Sequence, residues 1–222
     1  KVGLLNCENG HTASNMLWCK SLTDWTKQFN NWTNTPGENA NEIFSIFLDY
    51  ELIYGESQIE EVINNIVFKT RKNDALIFDF LGNDTLNKPK PLNFFKKIVL
   101  EEDGEHKGKF DIKNKALLPI IDAARLLALS YNIKGINNTN LRFKQLAILD
   151  PTNAEIYKNA ADAFIELSKF RVISGLKNDN SGQYINLEQL SKSEKEKLKD
   201  AFEPFEELEE LIKSKFKLTH FS

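Results

Sequence analysis

The sequence has few of the residues that build metal sites and disulfide frameworks. Its 222 residues include two cysteines, three histidines and one methionine. Cys7 and Cys19 lie near one end and make no framework, so we expect free, buried thiols, as in a cytoplasmic protein. The scattered histidines give no spacing typical of metal ligands, and we predict no metal site in this chain.

Long apolar runs and an excess of positive charge are also lacking. Twenty-nine basic residues face 32 acidic ones, which gives a formal net charge of −3 and excludes a general affinity for nucleic acid. No run approaches the length of a membrane span, and no signal peptide is visible. We therefore expect a soluble cytoplasmic protein without a membrane or nucleic-acid partner. Sixteen phenylalanines indicate a core rich in rigid aromatic rings.

The common catalytic motifs are absent as well. The chain contains no P-loop, no GxGxxG, no nucleophile elbow, no HExxH and no paired CxxC. Three aspartates stand in otherwise apolar or helical contexts, but no spacing obliges them to meet at a two-metal site: Asp49, Asp111 and Asp122. The residues alone therefore predict no catalytic centre.

The most informative stretch is residues 110–142, which contains a helix that is apolar almost all round. From Ile120 to Ala128 only Asp122 and Arg125 are polar, and their i, i+3 spacing makes them neighbours on one surface. A helix this apolar belongs in the middle of a core. Two charges are tolerated there only when they are paired and hydrogen-bonded. The pair is therefore either a structural ion pair or the charged floor of a cleft.

The first half of the chain predicts several further helices. A helix opens at Ser21 and has one apolar face. The dense apolar run over 39–54 carries a single acid, Asp49; helix and strand are both open, and we favour helix. Ser57 and Glu60 form a capping-box pattern, and a short helix over 74–81 is expected to stop at a glycine. The apolar face after Ser21 is Leu22, Trp25, Phe29 and Trp32, and the glycine stop is Gly82.

The second half predicts one hairpin and three more helical segments. Asp103-Gly104 is a turn signal between two extended runs. Thr139 or Asn140 can cap a helix that runs to Leu149, and a long helix then extends to Phe170, before a polar loop over 175–183. The last long helix has a capping box, Ser191 with Glu194, and Pro204 should kink or divide it. Together these signals predict a mainly all-α fold, a bundle of about six to eight helices with one small β-hairpin near residues 96–113.

Two groups of residues could bind a ligand. The turn Asn9–Asn15 is small and polar, and its backbone N–H groups could approach a phosphate, although such a turn can also be an ordinary connector. The second group surrounds the buried helix and carries basic and amide side chains. It could bind an anionic or nucleotide ligand. The alternative is an Asp122–Arg125 bridge that fixes helix packing, with Asn138 and Thr139 as a simple cap. The second group comprises Lys113, Arg125, Asn138, Thr139 and Arg142.

The same residues resemble a known family, in motifs that follow one another along nearly the whole chain. Cys7–Asn15 with the tryptophans after it resembles C-K-G-x-x-M-A-S-N-P-x-W followed by S-L-x-x-W, and Ile46–Glu51 resembles I-F-x-D-x-R. The helical part resembles D-x-K, P-x-x-x-x-A-R-x-x-A-L, N-T-x-x-R and A-F-x-x-L-x-x-x-R. These last motifs fall on Asp111 with Lys113, Pro119–Leu129, Asn138–Arg142 and Ala163–Arg171. The family is the C-terminal region of nucleotidyltransferases related to PII-protein uridylyltransferase and glutamine-synthetase adenylyltransferase.

The resemblance implies a domain organisation and a function. Residues 1–20 would be the C-terminal tail of a nucleotidyltransferase domain and residues 21–222 a helical substrate-binding domain, with the catalytic half upstream of Lys1. The full protein would transfer a nucleotidyl group from a nucleoside triphosphate, with Mg²⁺, to a protein or small-molecule acceptor. Relatives often carry CBS or cyclic-nucleotide-binding domains upstream. The chain alone is then expected to hold no cofactor and to be inactive.

The resemblance also suggests which residues face the ligand. Lys113, Arg125 and Arg142 are the candidates for contacting an anionic group, and Asn15 is the candidate for bordering the active site. Glu8 and Glu51 stand where the family often has a base, so either phosphate is not bound at these positions or other groups hold it. The rival interpretation is a non-catalytic regulatory or interaction module that relays the state of an upstream sensor domain. A free-standing helical scaffold is a third.

Overall fold

The fold is a bundle of helices. The computed structural model describes residues 12, 14–34, 45–68 and 74–218. Among these residues there are eight α-helices and one pair of short strands. The mainly α-helical bundle that the sequence predicts is therefore confirmed. In chain order the helices are α1 (Leu22–Asn34), α2 (Ser57–Val67), α3 (Asp74–Leu86), α4 (Leu118–Ser130), α5 (Thr139–Leu149), α6 (Ala154–Asn178), α7 (Lys192–Asp200) and α8 (Pro204–Phe216).

Helix α4 lies at the centre of the bundle, as its apolar sequence predicts. It packs against α3, α5, α6 and α8. Pro119 is the second residue of α4, where its fixed φ suits a helical backbone. Because neighbours surround the helix, almost no part of its surface is left for polar side chains. Its buried residues are Ile120, Ala123, Ala124, Leu126, Leu127 and Ala128.

A single π-helical turn, Lys113–Leu117, leads into α4. The buried carboxylate of Asp111 anchors this turn, because it accepts hydrogen bonds from the backbone N of Asn114 at 2.9 Å and from its Nδ2 at 2.7 Å. The side chain of Gln183 donates a third bond to the same carboxylate, at 3.1 Å. π-Helical turns are rare and are frequently found at functional sites. The turn therefore makes Lys113 a residue of interest.

The two strands come from distant parts of the chain. β1 (Phe110–Asp111) pairs antiparallel with β2 (Tyr184–Ile185), which follows α6. The predicted local hairpin is present only as a turn, in which Glu101 exchanges backbone hydrogen bonds with 108 and 109 at 2.8 and 2.9 Å. A turn signal such as Asp103-Gly104 identifies where the chain reverses, but it does not identify the partner of the strand that follows.

The beginnings of the helices test the capping predictions. The capping box at Ser191 is confirmed, since Ser191 Oγ accepts from the backbone N of Glu194 and the Glu194 carboxylate accepts from the backbone N of Ser191. The capping box at Ser57 is wrong. Helix α2 begins at Ser57 itself, so the cap position belongs to Glu56, whose side chain makes no capping bond.

The predicted helix ends are partly wrong. Helix α3 does not stop at Gly82 but continues to Leu86. A Cβ at Gly82 would lie 2.5 Å from Cδ1 of Leu218, so this glycine makes room for a packed side chain rather than for a turn. Helix α6 likewise continues through Gly175 to Asn178. Pro204 does divide the last helical segment, because it is the first residue of α8.

Aromatic rings join α1 to the segment that follows it. Trp25 and Phe29 contact Phe47, with ring centroids 4.8 and 4.6 Å apart, and Trp32 packs beside them. Phe47 belongs to a helical turn over 45–48. The favoured helix over 39–54 is wrong for 49–54, which is not helical, and 39–44 lies outside the described residues. The short turn ends with Asp49 beside the core.

Two sequence predictions concern the chain as a whole. Among the described residues, no helix combines the length and the apolar character needed to cross a membrane. The prediction of buried thiols is wrong for Cys19, which is exposed. Cys7 lies outside the described residues.

The corner between α5 and α6 is fixed by one carboxylate. Asp150 Oδ2 accepts hydrogen bonds from the hydroxyl of Tyr131 at 2.7 Å, from the buried hydroxyl of Tyr157 at 2.9 Å and from Asn153 Nδ2 at 2.9 Å. Burial tends to raise the pKa of Asp150, but these hydrogen bonds outweigh it and lower the pKa. The carboxylate ties the end of α4 to the start of α6.

Acid should weaken the fold partly through Asp150. Because its folded pKa is lowered, its contribution to stability is complete above its ordinary pKa and is lost as the pH falls through the folded value. We expect the wild type to lose more unfolding free energy than Asp150→Asn between about pH 6 and about pH 3. Urea unfolding at several pH values measures this, with the exposed Asp162→Asn as control. Equal losses in wild type and Asp150→Asn would exclude the effect.

Candidate functional site

Two arginines converge on the carboxylate of Asp49. Arg125, on α4, donates from Nε to Asp49 Oδ2 at 3.0 Å, and its Nη2 contacts the same oxygen. Arg142, on α5, donates from Nη1 to Asp49 Oδ1 at 2.5 Å. Each carboxylate oxygen therefore has its own guanidinium. Charge-assisted bonds of this kind are roughly twice as strong as neutral ones.

Arg142 is the most enclosed charged group of this cluster. Its side chain is 2% exposed, although it carries a full positive charge. Besides Asp49 it donates from Nε to the backbone oxygen of Ile136 at 2.7 Å and from Nη2 to that of Leu48. All three guanidinium nitrogens are thus engaged, which is the condition under which a buried charge is tolerated.

The ion network continues from Arg125 toward the end of α3. Arg125 Nη1 donates to Asp122 Oδ1 at 2.8 Å, which is the ion pair predicted from the i, i+3 spacing. Asp122 also lies 3.7 Å from the ammonium of Lys88, and Lys88 lies 2.9 Å from Asp84. Three acidic and three basic side chains alternate along this path, so the network is charge-balanced.

Burial and pairing act on these groups in opposite directions. Burial raises the pKa of Asp122, and the positive charges of Arg125 and Lys88 offset only part of that effect. Burial alone would lower the pKa of Arg125, but hydrogen bonds and charges from Asp49 and Asp122 raise it overall. Arg142 has one carboxylate rather than two and lies near Arg125, so burial prevails and lowers its pKa. Arg142 is therefore the cation that depends most on Asp49.

The fold brings together only some of the residues that the sequence singles out. Arg125, Arg142 and Asp122 meet in the network. Asp49 joins them although sequence separation gave no reason to expect it, and Asp111 remains apart at the π-helical turn. The single acid in a dense apolar run was the available signal for Asp49. The prediction that Arg125 and Arg142 contact an anionic ligand stays a prediction, and their donors are bonded to protein groups in this structure.

Lys113 lies away from the network. It precedes Arg125 by twelve residues, roughly 18 Å along the helix axis at 1.5 Å per residue. Its side chain is half-buried, and no other described residue makes a hydrogen bond or ion pair with it. Lys115 in the same turn is already bonded to protein groups, because its ammonium lies 2.7 Å from the Glu101 carboxylate and donates to the backbone oxygen of Val99. Lys113 is therefore the cation of this turn that can take an external partner.

The remaining candidates occupy helix starts. Asn138, rather than Thr139 or Asn140, caps α5, because its Oδ1 accepts from the backbone N of Leu141 at 3.0 Å. Thr139 is buried at the first position of that helix. Asn15 caps the short 3₁₀ turn Met16–Trp18 through a bond from Leu17 N at 3.0 Å.

The structure describes only part of the turn Asn9–Asn15, and of the two glutamates that depart from the family pattern it describes only Glu51. Most of that turn and Glu8 lie outside the described residues. Trp18, just after the turn, packs against Phe47, with ring centroids 6.3 Å apart. This contact brings the turn's end toward the segment that carries Asp49. Glu51 is exposed and accepts a hydrogen bond from Asn137 Nδ2 at 3.1 Å.

The part of the chain that the structure describes contains no group of three or more His, Cys, Asp or Glu side chains that could hold a metal ion. The charged side chains thus form two features of this helical domain. One is the charge-balanced ion network around Asp49 and Arg125. The other is Lys113, just before the central helix α4, whose ammonium has no partner among the described residues.

Comparison with protein families identifies this domain. Residues 75–216, well over half of the chain, match the family described as "Putative nucleotidyltransferase substrate binding domain". The chain belongs to that family. Residues 1–39 match a second family model, described as "Putative nucleotidyltransferase DUF294". Comparison with curated proteins gave no match, and comparison with solved structures gave none either.

Proposed function

We propose that this domain forms one wall of a cleft in which a nucleotidyltransferase domain transfers a nucleotidyl group from a nucleoside triphosphate to a protein or small-molecule acceptor. The observation that carries the proposal is the succession of the two family matches in one chain, at 1–39 and 75–216. In this scheme the carboxylates of the catalytic domain hold Mg²⁺ and the triphosphate. The helical domain binds and orients the acceptor or the nucleotide. A reaction like that of PII-protein uridylyltransferase is the specific form that we propose.

Within the domain we assign different roles to the candidate residues. Lys113 contacts the anionic ligand, because its ammonium has no partner among the described residues and a π-helical turn presents it. Arg125 and Arg142 act indirectly, since their donors hold the wall together. Asn15 borders the active site, because it lies within the segment, residues 1–39, that matches the nucleotidyltransferase family. Asn138 and Thr139 begin the helix that carries Arg142.

One observation favours a second candidate function. The Asp49 carboxylate joins the N-terminal segment to α4 and α5 through two arginines, and such a connection could transmit movement between domains. On this alternative the module is non-catalytic and relays the state of an upstream sensor, such as a CBS or cyclic-nucleotide-binding domain. Nucleotide binding distinguishes the two, because a relay module needs no contact with a triphosphate.

Substitution of Lys113 should weaken ligand binding without weakening the fold. We expect Lys113→Gln to raise the dissociation constant for MgATP or MgUTP by about tenfold or more, since it removes one charge-assisted contact. Calorimetric titration of the protein that carries the complete nucleotidyltransferase domain with this chain measures the constant. Lys158→Gln, at an exposed position on α6, is the matched control.

Two results would exclude this assignment. An unchanged dissociation constant in Lys113→Gln removes Lys113 from the site, and absence of nucleotide binding by the wild type favours the relay module.

The 222-residue chain alone should show no nucleotidyl transfer. Transfer by that chain would place the catalytic groups within it.

A further inference from the structure

Two phenylalanine rings project from a short loop between α3 and β1. Leu92 and Ile98 form an isolated antiparallel bridge, and the chain reverses between them. Phe94 is 92% exposed and Phe95 is 76% exposed at this reversal. The two rings pack edge to face, with centroids 5.5 Å apart. The other phenylalanines that the structure describes are buried or packed against the core, so two adjacent rings this exposed are unusual. We call residues 92–98 the aromatic tip.

Hydrogen bonds hold the aromatic tip in one conformation. Asn93 Oδ1 accepts from the backbone N of Phe95 and of Lys97, both at 3.0 Å. The Asn93 backbone donates to the oxygen of Lys97 and accepts from the N of Lys96, both at 2.9 Å. Lys96 adopts a left-handed φ of 54° to close the turn. A tip that is already ordered loses little conformational entropy when its rings are covered.

A groove of about 540 Å³ lies directly beside the tip. Leu92 and Lys96 form its near wall, and α7 and α8 form the far wall. Phe202 and Phe205 lie at its floor, where they are almost fully buried. The groove therefore has a small accessible apolar area at its bottom, on which the edge of an aromatic ring can pack.

The charges of the tip and the groove are complementary. Lys90 and Lys96 are paired with Glu209 and Glu206, so these four charges cancel within one chain. Glu203 and Glu207, also in the groove, are exposed and make no ion pair among the described residues. On the tip, the exposed ammonium of Lys97 likewise has no acidic partner there.

We propose that the aromatic tip of one copy of this chain inserts into the groove of a second copy, in a two-fold symmetric dimer. Phe94 and Phe95 cover the floor of the groove, and Lys97 faces Glu203 and Glu207 of the second copy. Because tip and groove are adjacent on one surface, a two-fold axis between them lets both insertions form together. The acidic rim of the groove disfavours the other occupants, an anionic lipid surface or a nucleic acid, by like-charge repulsion.

The size of this contact predicts a weak dimer. Four phenylalanine rings bury about 600–1,000 Å² of surface between them. Stable interfaces begin near about 1,200 Å² in total, and the rims of the two grooves supply the remainder. We therefore expect a dissociation constant in the micromolar range.

Sedimentation equilibrium of the full chain tests the proposal. We expect a monomer–dimer equilibrium, and we expect Phe94→Ser/Phe95→Ser to raise its dissociation constant by about thirtyfold or more. Leu176→Ser removes another strongly exposed apolar side chain, on α6 and outside the groove, and should leave the constant unchanged. A wild type that is monomeric up to about 200 µM, or a dimer that persists in the double variant, overturns the proposal.

A charge exchange identifies the partner groups. Lys97→Glu alone and Glu203→Lys/Glu207→Lys alone should each weaken self-association, because each homodimer then has like charges in contact. An equimolar mixture of the two variants should dimerise about as tightly as the wild type, since both tips then meet a groove of opposite charge. A mixture that stays monomeric excludes the proposed pairing of tip and groove.

Discussion

Asp49→Ala is expected to lower the unfolding free energy by about 3–5 kcal/mol. The alanine removes the only carboxylate among the described residues that contacts Arg142, whose guanidinium is almost completely enclosed. Arg142 then keeps only the backbone oxygens of Leu48 and Ile136, which do not neutralise its charge. Asp49 itself is partly exposed, so water can compensate some of the loss and the lower end of the range is expected. Urea unfolding followed by circular dichroism measures the change.

The control for Asp49→Ala is Asp103→Ala. Asp103 is also an acidic residue in a loop, but it is exposed and makes no side-chain hydrogen bond among the described residues. A surface substitution of this kind should change the unfolding free energy by no more than about 0.5 kcal/mol. Similar losses of unfolding free energy in both variants would show that the change in net charge, rather than the lost bond between Asp49 and Arg142, destabilises the fold.

Gly182→Ala is expected to destabilise the fold by about 3 kcal/mol or more. The added Cβ would lie 1.9 Å from the backbone oxygen of Arg171, and the residue has a left-handed φ of 66°. The chain would have to move away from α6 at the point where it enters β2. That movement pulls Gln183 away from the carboxylate of Asp111, and so it also disturbs the turn that presents Lys113.

Gly104→Ala separates the two causes of the lost unfolding free energy, which are the left-handed φ and the close contact of the added Cβ. Gly104 has a similar left-handed φ of 74°, but a Cβ there meets nothing within 4 Å. It should therefore cost only the conformational penalty, about 1–2 kcal/mol. Chemical denaturation of both variants gives the difference. If Gly182→Ala costs no more than Gly104→Ala, the close approach between 182 and 171 is not a constraint on the fold.

The sequence predicts those features that depend on local chemistry. Helix α4 could be placed in the core because it is apolar all round, and the Asp122–Arg125 pair follows from helical spacing alone. The capping box at Ser191 is a local signal too. At Ser57 the same pattern failed, because the helix begins one residue earlier than the motif requires.

The features that escape prediction depend on contacts between distant residues. Asp49 and Arg142 are 93 positions apart, and nothing in either segment specifies the other. The partner of β1 lies beyond α6 for the same reason. The sequence predicts a helix end at Gly82, whereas in the fold this glycine makes room for the side chain of Leu218. The candidate site shares this limit, because the sequence proposes Arg142 as a ligand contact and only the fold shows that backbone oxygens and Asp49 surround it.

The fold makes Asp49 and Arg142 one structural unit and leaves the ammonium of Lys113 without a partner among the described residues. A double-mutant cycle probes that unit, with Asp49→Ala, Arg142→Met and the double variant compared by urea unfolding. We predict a coupling free energy of about 2–3 kcal/mol, because Asp49→Ala leaves the enclosed Arg142 without a carboxylate, whereas in Arg142→Met the carboxylate of Asp49 keeps Arg125. Additive effects, within about 0.5 kcal/mol, would show that Asp49 and Arg142 do not act as one unit and would return Arg142 to the residues that could bind a ligand.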